Sequence, residues 1–366
     1  MDYTELLCEL VRTYSPSGQE GTIANWIKRM LLSELGAGNS YIDEVGNVIG
    51  VYEGKEPSIL LCGHIDTVPG ELPVKIEDGY VYGRGAVDAK GPMAAFLCAA
   101  HALSKTSFDN RLIVACVVDE EGNGKGIRHL INKGIRPEYA VFGEPSSSTN
   151  IVIGYRGGLR VRLSFRTQSF HASSPWMGKS AIEAAFELWT SLKKYNEEAI
   201  RKERKFDTIS ACLTQISGGE SHNMSPASCE MTVNIRYPPS VSSDRIIQDI
   251  HSTVDSLFDD RIRVTVEIDD HTPAYVAPIS NELVKSFRNA IRKVTGTDAK
   301  LIRKTGSADM NLFGKEIRTP VITFGPADPK LSHTPNEKVS IAEFLKSIEV
   351  IKEALLNLSN NDMVSD

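Results

Sequence analysis

Two histidines and five carboxylates stand just past the ends of apolar runs, and metal-assisted hydrolysis is chemistry that such a set can perform. The run at 58–63 ends in His64-Ile65-Asp66, and the run at 111–118 ends in Asp119-Glu120-Glu121. The run at 139–142 ends in Gly143-Glu144-Pro145, and the one at 321–324 leads through a short loop to His333. Asp88 lies in the glycine-rich stretch 83–91, GRGAVDAKG. His64 and Asp66 are two apart, so on extended chain their side chains point the same way. Asp66 can then accept the second imidazole N–H of His64, fixing its tautomer and raising its basicity as a ligand. Glu120 and Glu121 are adjacent and cannot both face one metal comfortably. One can be a ligand and the other a free base acting on water. Asp88 can offer one oxygen to each of two metals. Glu144 and His333 complete two sites, each with one histidine, one glutamate of its own and a share in Asp88. Zinc takes such N/O donors, and cobalt or manganese can replace it.

These residues need a scaffold that brings four strand ends together. Short, β-branched, turn-bounded runs read as buried parallel strands. Ligands of open α/β sheets collect outside the carboxyl ends of such strands. Residues 91–103 predict a helix whose broad apolar surface packs on a sheet, with Pro92 in the first turn where helices tolerate it. From about Gly157 the pattern changes. Residues 159–165 alternate, with Val161, Leu163 and Phe165 on one face and Arg160, Arg162 and Ser164 on the other, as in a half-exposed antiparallel strand. A long amphipathic helix is predicted over 180–202, strands near 208–217 and 229–237, a helix near 244–259, and a strand at 261–268. The order β-α-β-β-α-β is that of a ferredoxin-like unit. After 270 the chain returns to mixed α/β, with a closing helix near 340–357. The expected fold is therefore a mixed α/β catalytic domain with a largely parallel sheet, residues 1–155 and 271–366. Residues 156–270 form an inserted α+β domain.

Composition is compatible with this. The 366 residues are 41% hydrophobic and 24% charged, enough to bury a core, and the net charge of −6 argues against a nucleic-acid or membrane role. The six cysteines are scattered with no CxxC pair, and Cys62 and Cys116 lie inside apolar runs. That favours reduced packing residues in a cytoplasmic protein over a disulfide framework. The first residues lack the order of a signal peptide, and no apolar run approaches the ~20 residues needed to span a bilayer.

Together, GHIDTVPG, GRGAVDAKG, DEEG, GEP and SHTPNE resemble the motifs of the dinuclear-zinc aminoacylase and metallopeptidase family. Its members include acetylornithine deacetylase, succinyl-diaminopimelate desuccinylase and the carboxypeptidase G type. The resemblance covers nearly the whole chain. It implies two zinc ions per chain: His64 and Glu144 would hold one, Glu121 and His333 the other, and Asp88 would bridge them. Glu120 would be the general base, and Asp66 would orient His64. His171, in FHASSP, resembles the family histidine given to the oxyanion, across a dimer in many members. Asn223 and Arg236 resemble residues that hold the substrate carbonyl and carboxylate, and residues 304–309 resemble the substrate loop. There Ser307-Ala308 replaces the commoner Ser-Asp order, so no role follows for Asp309.

Within the family, GRGAVDAKGP and VVDEEGNGKG are most similar to members that release lysine, and in archaeal types ornithine, from an amino-group carrier protein. The implied reaction is amide hydrolysis on an acidic carrier substrate by a homodimer. N-acetylornithine or N-acetyl-lysine deacetylation, desuccinylation and dipeptide hydrolysis are the alternatives, with a small acyl-amino acid as substrate. A non-catalytic zinc-binding module has no need of the unligated base Glu120. Arg156, Arg160, Arg162, Arg166, Arg303 and Lys304 suggest a local basic surface for an acidic carrier. His101, His129, His222, His251 and His271 match no motif.

Overall fold

The computed structural model describes residues 1–361. The chain divides into two compact units. One comprises Met1–Gly154, Ala277–Ile302 and the chain from Leu312 onward; the other comprises Tyr155–Val276 and Arg303–Asn311.

At the centre of the first unit four strands lie side by side and parallel, within a nine-stranded mixed sheet. Their order is Asn110–Val117, Lys55–His64, Tyr139–Gly143, Val321–Thr323. These are the four apolar runs singled out above. Gly63 pairs with Cys116 on one side and Gly143 on the other, so the strands end in register. The loops leaving these strands therefore emerge at the same edge of the sheet. Antiparallel strands flank this core: Val48–Tyr52 beside Asn110–Val117, and Asn150–Tyr155 beside Val321–Thr323. Two-sided burial explains the unbroken apolar runs, since Ile59, Leu60, Leu61 and Cys62 are all fully buried.

The helix Lys90–Leu103 is buried at every position but Ala102, which fits its all-round apolar pattern. It packs on the three strands nearest the sheet centre and against the helices Tyr3–Arg12 and Ile341–Asn361. Small residues at the strand ends permit the approach: a Cβ on Gly143 would sit 2.9 Å from the Phe96 ring. Each large side chain buried here contributes about 1.5–3 kcal/mol. Asp2 caps the Tyr3–Arg12 helix by accepting the Thr4 N–H at 2.8 Å, as an N-terminal aspartate should. A second, three-stranded sheet pairs Lys75–Glu77 with Tyr80–Tyr82, and Tyr80–Tyr82 with Lys338–Ser340.

The second unit holds a four-stranded antiparallel sheet with the spatial order Ser210–Gly218, Ser228–Tyr237, Gly157–Arg166, Arg263–Thr272. With helices Ala181–Leu192 and Ser243–Leu257 in the crossovers, this is the expected ferredoxin-like β-α-β-β-α-β arrangement. Leu159, Val161, Leu163 and Phe165 face the helices and are buried, together with Ala184, Leu188, Ile246 and Ile250. One expectation changes. The helix over 180–202 is two helices, Ala181–Leu192 and Lys194–Arg201, because the apolar stripe stops at Leu192 and no residue of the second helix is buried. The six cysteines are all free, and five of them are buried. No described helix is long and apolar enough to cross a membrane.

Candidate metal centre

His64 closes its strand with its side chain only 1% exposed. Its Nε2 faces Asp88 Oδ1 at 3.3 Å and Glu144 Oε1 at 3.7 Å. The other Asp88 oxygen faces a second histidine, with His333 Nε2 3.3 Å from Asp88 Oδ2. The same His333 nitrogen lies 2.7 Å from Glu121 Oε1. Asp88 thus stands between the two imidazoles with one oxygen toward each. His64, Asp88 and Glu121 each offer a donor atom, all within 4.8 Å of one another.

The segment that delivers Glu120 and Glu121 is shaped by its neighbours. Asp119 adopts a left-handed conformation (φ 64°) as the chain leaves its strand. Its carboxylate accepts the N–H groups of Asn123 and Lys125 at 3.3 Å each. A side chain on Gly122 would collide with that carboxylate, which accounts for the glycine in DEEG. Asp66, fully buried, fixes the next two residues: Oδ1 accepts the Glu120 N–H and Oδ2 the Glu121 N–H, each at 3.1 Å. Ser17 Oγ donates to Asp66 Oδ2 at 2.6 Å.

Electrostatics follow from this density of charge. Burial pushes the Asp88 carboxyl up, but hydrogen bonds from His333 and His64 outweigh it and hold the group well below the usual carboxylate range. Burial likewise opposes the ionised form of Asp66, and the bonds from His64, Ser17 and the Glu120 N–H overcome it. His333 is pushed up to about 10 by its hydrogen bonds to Asp88 and Glu121. Burial lowers the His64 imidazole, but hydrogen bonds with Asp66 and Asp88 outweigh it and raise the group well above its usual value.

In the second unit His171 is exposed, with Nδ1 2.7 Å from Ser173 Oγ. An isolated bridge joins it to Met224, and the Ala172 N–H donates to the Asn223 carbonyl at 2.9 Å. His171 and Asn223 therefore lie on paired segments. Arg236 pairs in register with Gly158, and its guanidinium donates to Ser307 Oγ in the segment 303–311.

A protein-family model described as peptidase family M20/M25/M40 matches residues 60–357. This chain belongs to the M20/M25/M40 peptidase family. A Pyrococcus furiosus protein that provisionally carries the name LysW-lysine/LysW-ornithine hydrolase is 38% identical over 98% of each chain. A Sulfurisphaera tokodaii protein with that name is 34% identical, over 97% of this chain and 95% of its own. The solved M20 metallo-carboxypeptidase of Sulfolobus solfataricus shares the fold. Its TM-score is 0.83 at 18% identity, covering 98% of this chain and 99% of that one.

Three features of this M20 chain depart from the reading of its sequence or were missed by it. Arg156 does not contribute to a basic surface. It is 6% exposed, and its guanidinium donates to the carbonyls of Thr305 at 2.8 Å and Thr208 at 3.0 Å. Arg162 is paired with Asp269 at 2.9 Å, so the local charge excess is smaller than the arginine count suggests. The missed residue is Glu337, the last letter of SHTPNE. It is 1% exposed and accepts from three N–H groups of one loop and from Arg84. Its signal was a carboxylate in a polar loop, four residues after His333 and so on the segment that delivers this histidine. Of the unassigned histidines, His129 lies 3.0 Å from Glu44 and His271 2.9 Å from the Tyr237 hydroxyl, while His222 and His251 are exposed.

Proposed function

We propose that this chain hydrolyses the amide bond joining lysine, or ornithine, to an amino-group carrier protein, and that it does so with two metal ions, zinc in the first instance. Asp88, with each oxygen 3.3 Å from a different histidine, is the observation that carries the metal reading. The donor set, two imidazoles with carboxylates, suits zinc, cobalt or manganese. His64 and Glu144 would hold one ion, Glu121 and His333 the other, with Asp88 shared. Ions held there would supply Lewis-acid polarisation of the scissile carbonyl and a lowered pKa for the attacking water.

The chain's own residues do the rest. Glu120, on a backbone fixed by Asp66, accepts the proton of the attacking water. It returns that proton to the leaving amine as the C–N bond breaks. His171 donates to the oxyanion, Asn223 holds the substrate carbonyl, and Arg236 holds the carboxylate of the released amino acid. The carrier assignment is supported by full-length similarity to relatives named for carrier-linked lysine and ornithine. We place the enzyme in the cytoplasm as a homodimer whose second unit serves as lid and dimer contact.

The test is turnover by the metal-loaded protein of the carrier-linked lysine conjugate against N-acetyl-lysine, N-acetylornithine and succinyl-diaminopimelate. A kcat/KM for the conjugate at least 100-fold above the small substrates is expected. Equal or better turnover of a small acyl-amino acid would replace this reading with deacetylation or desuccinylation.

A further inference from the structure

We propose that Glu337 is a positioning residue that ties the Asp88 loop to the His333 segment and so sets the spacing of the metal centre; the inference rests on the dinuclear reading above. The tie begins in the backbone. Lys338–Ser340 pairs antiparallel with Tyr80–Tyr82, Lys338 opposite Tyr82, which brings residue 337 across from Gly83. The Gly83 N–H then donates to the Glu337 carbonyl at 3.2 Å. The short sheet is thus the device that joins two stretches about 250 residues apart in sequence.

The side chain completes it. Glu337 Oε1 receives the N–H groups of Gly85, Val87 and Asp88, each at 3.0 Å. Three donors converging on one oxygen curl the loop around it and leave the Asp88 side chain projecting away, toward both histidines. The second oxygen, Oε2, accepts from Arg84 Nη1 at 2.9 Å. Arg84 is 8% exposed and extends the tie: its Nη1 also reaches the Thr334 carbonyl at 3.3 Å and its Nε the Gly70 carbonyl at 2.9 Å. Thr334 is the neighbour of His333. A single buried ion pair therefore holds the bridging aspartate by the backbone at one end and the histidine turn at the other.

A carboxylate is suited to this place because it only accepts, and every partner here donates. Glutamine would keep Oε1 for the three loop N–H groups but set an NH2 against Arg84. Outer partners of metal ligands of this kind typically alter affinity or activity about 10–100-fold.

The experiment compares wild type, Glu337→Gln and Asp88→Asn. Each is freed of metal and then titrated with cobalt(II), following the d–d absorption spectrum and stoichiometry, with thermal unfolding of the metal-free proteins and kcat and KM on the carrier conjugate. For Glu337→Gln, a folded protein is expected with the second cobalt bound about 10–100-fold more weakly. Its spectrum should shift, and kcat should fall while KM changes little. Native cobalt affinity, spectrum and kcat in Glu337→Gln, with Asp88→Asn deficient, overturn the role of Glu337 and leave the metal centre standing. If Asp88→Asn binds two cobalt ions as tightly as wild type does, the sharing of Asp88 fails and this inference with it; if wild type itself binds a single cobalt ion, the dinuclear reading fails. Should Glu337→Gln not fold, Glu337→Asp makes the same comparison, since its carboxylate keeps the charge but ends one methylene short of the loop. An unchanged cobalt spectrum in that variant counts against the proposal in the same way.

Discussion

His64 and Asp66 meet through the backbone more closely than through their side chains. His64 Nδ1 lies 3.0 Å from the Asp66 carbonyl oxygen and 3.5 Å from its carboxylate. The carboxylate, still close enough to feel the His64 ring, also accepts the Glu120 and Glu121 N–H groups at 3.1 Å each.

Asp66→Asn tests that division of labour. It preserves the carbonyl contact to His64 but turns one acceptor for the Glu120–Glu121 backbone into a donor. Metal content should stay close to wild type while kcat falls about 10–100-fold, the range for partners that orient a site from behind. Metal analysis beside steady-state kinetics checks it. A parallel loss of metal and rate would put the main duty of Asp66 on His64 instead.

Glu120→Gln should keep the fold and the wild-type metal content and lose turnover by about 10²–10⁴-fold, the usual worth of a positioned proton acceptor. Elemental analysis and the carrier-conjugate assay provide the readout. An unchanged rate would remove Glu120 from the mechanism.

The His333 imidazole, raised to about 10 by Asp88 and Glu121, makes the metal-free protein pH-sensitive. Its folded pKa lies above the ordinary ~6.5. The stabilisation is therefore fully present below about 6.5 and fades as pH rises through about 10. Thermal midpoints of chelator-treated wild type and His333→Gln should differ most near pH 6 and converge above pH ~10. The gap should be modest, because His333 is 47% exposed and solvent screens the interaction. Since an ion must displace this proton, metal affinity should rise with pH over the same window. A midpoint gap that widens with pH contradicts the assignment.

Subunit mixing addresses His171. His171→Ala and Glu120→Gln should each be nearly inactive alone. If His171 serves the neighbouring copy, exchanged heterodimers regain up to about half of wild-type activity per dimer, because one of the two sites holds both groups. Proven exchange with no recovery would confine His171 to its own chain or remove it from catalysis.

The four central strands were legible because two-sided burial leaves an unbroken apolar run. The ferredoxin-like order was legible because alternation replaced those runs from residue 157 onward. Other features had no such signature. Three-residue strands such as Tyr80–Tyr82 carry too few residues for a period, and their partner Lys338–Ser340 is remote in sequence. The arginines at 156, 160 and 162 look alike in a row of letters. Only tertiary packing separates Arg156, saturated by carbonyls, from Arg162 with its aspartate. The break after Leu192 falls where burial stops, since no residue of Lys194–Arg201 is buried. Glu337 resembles any loop carboxylate until its four donors are counted.

The place of Val321–Thr323 in the sheet also sets a schedule. It is seated between Tyr139–Gly143 and Asn150–Tyr155, strands made long before it. The ribosome must add about 170 further residues before that slot can be filled, and His333 comes later still. At ~5–20 residues per second the gap from His64 to His333 takes roughly a quarter of a minute to a minute. For most of that interval, once Glu144 has been made, the growing polypeptide carries an unfinished sheet and four of the five proposed ligands. On the proposed ligand set the metal centre stays incomplete until His333 is made, so hydrolytic competence cannot precede that residue.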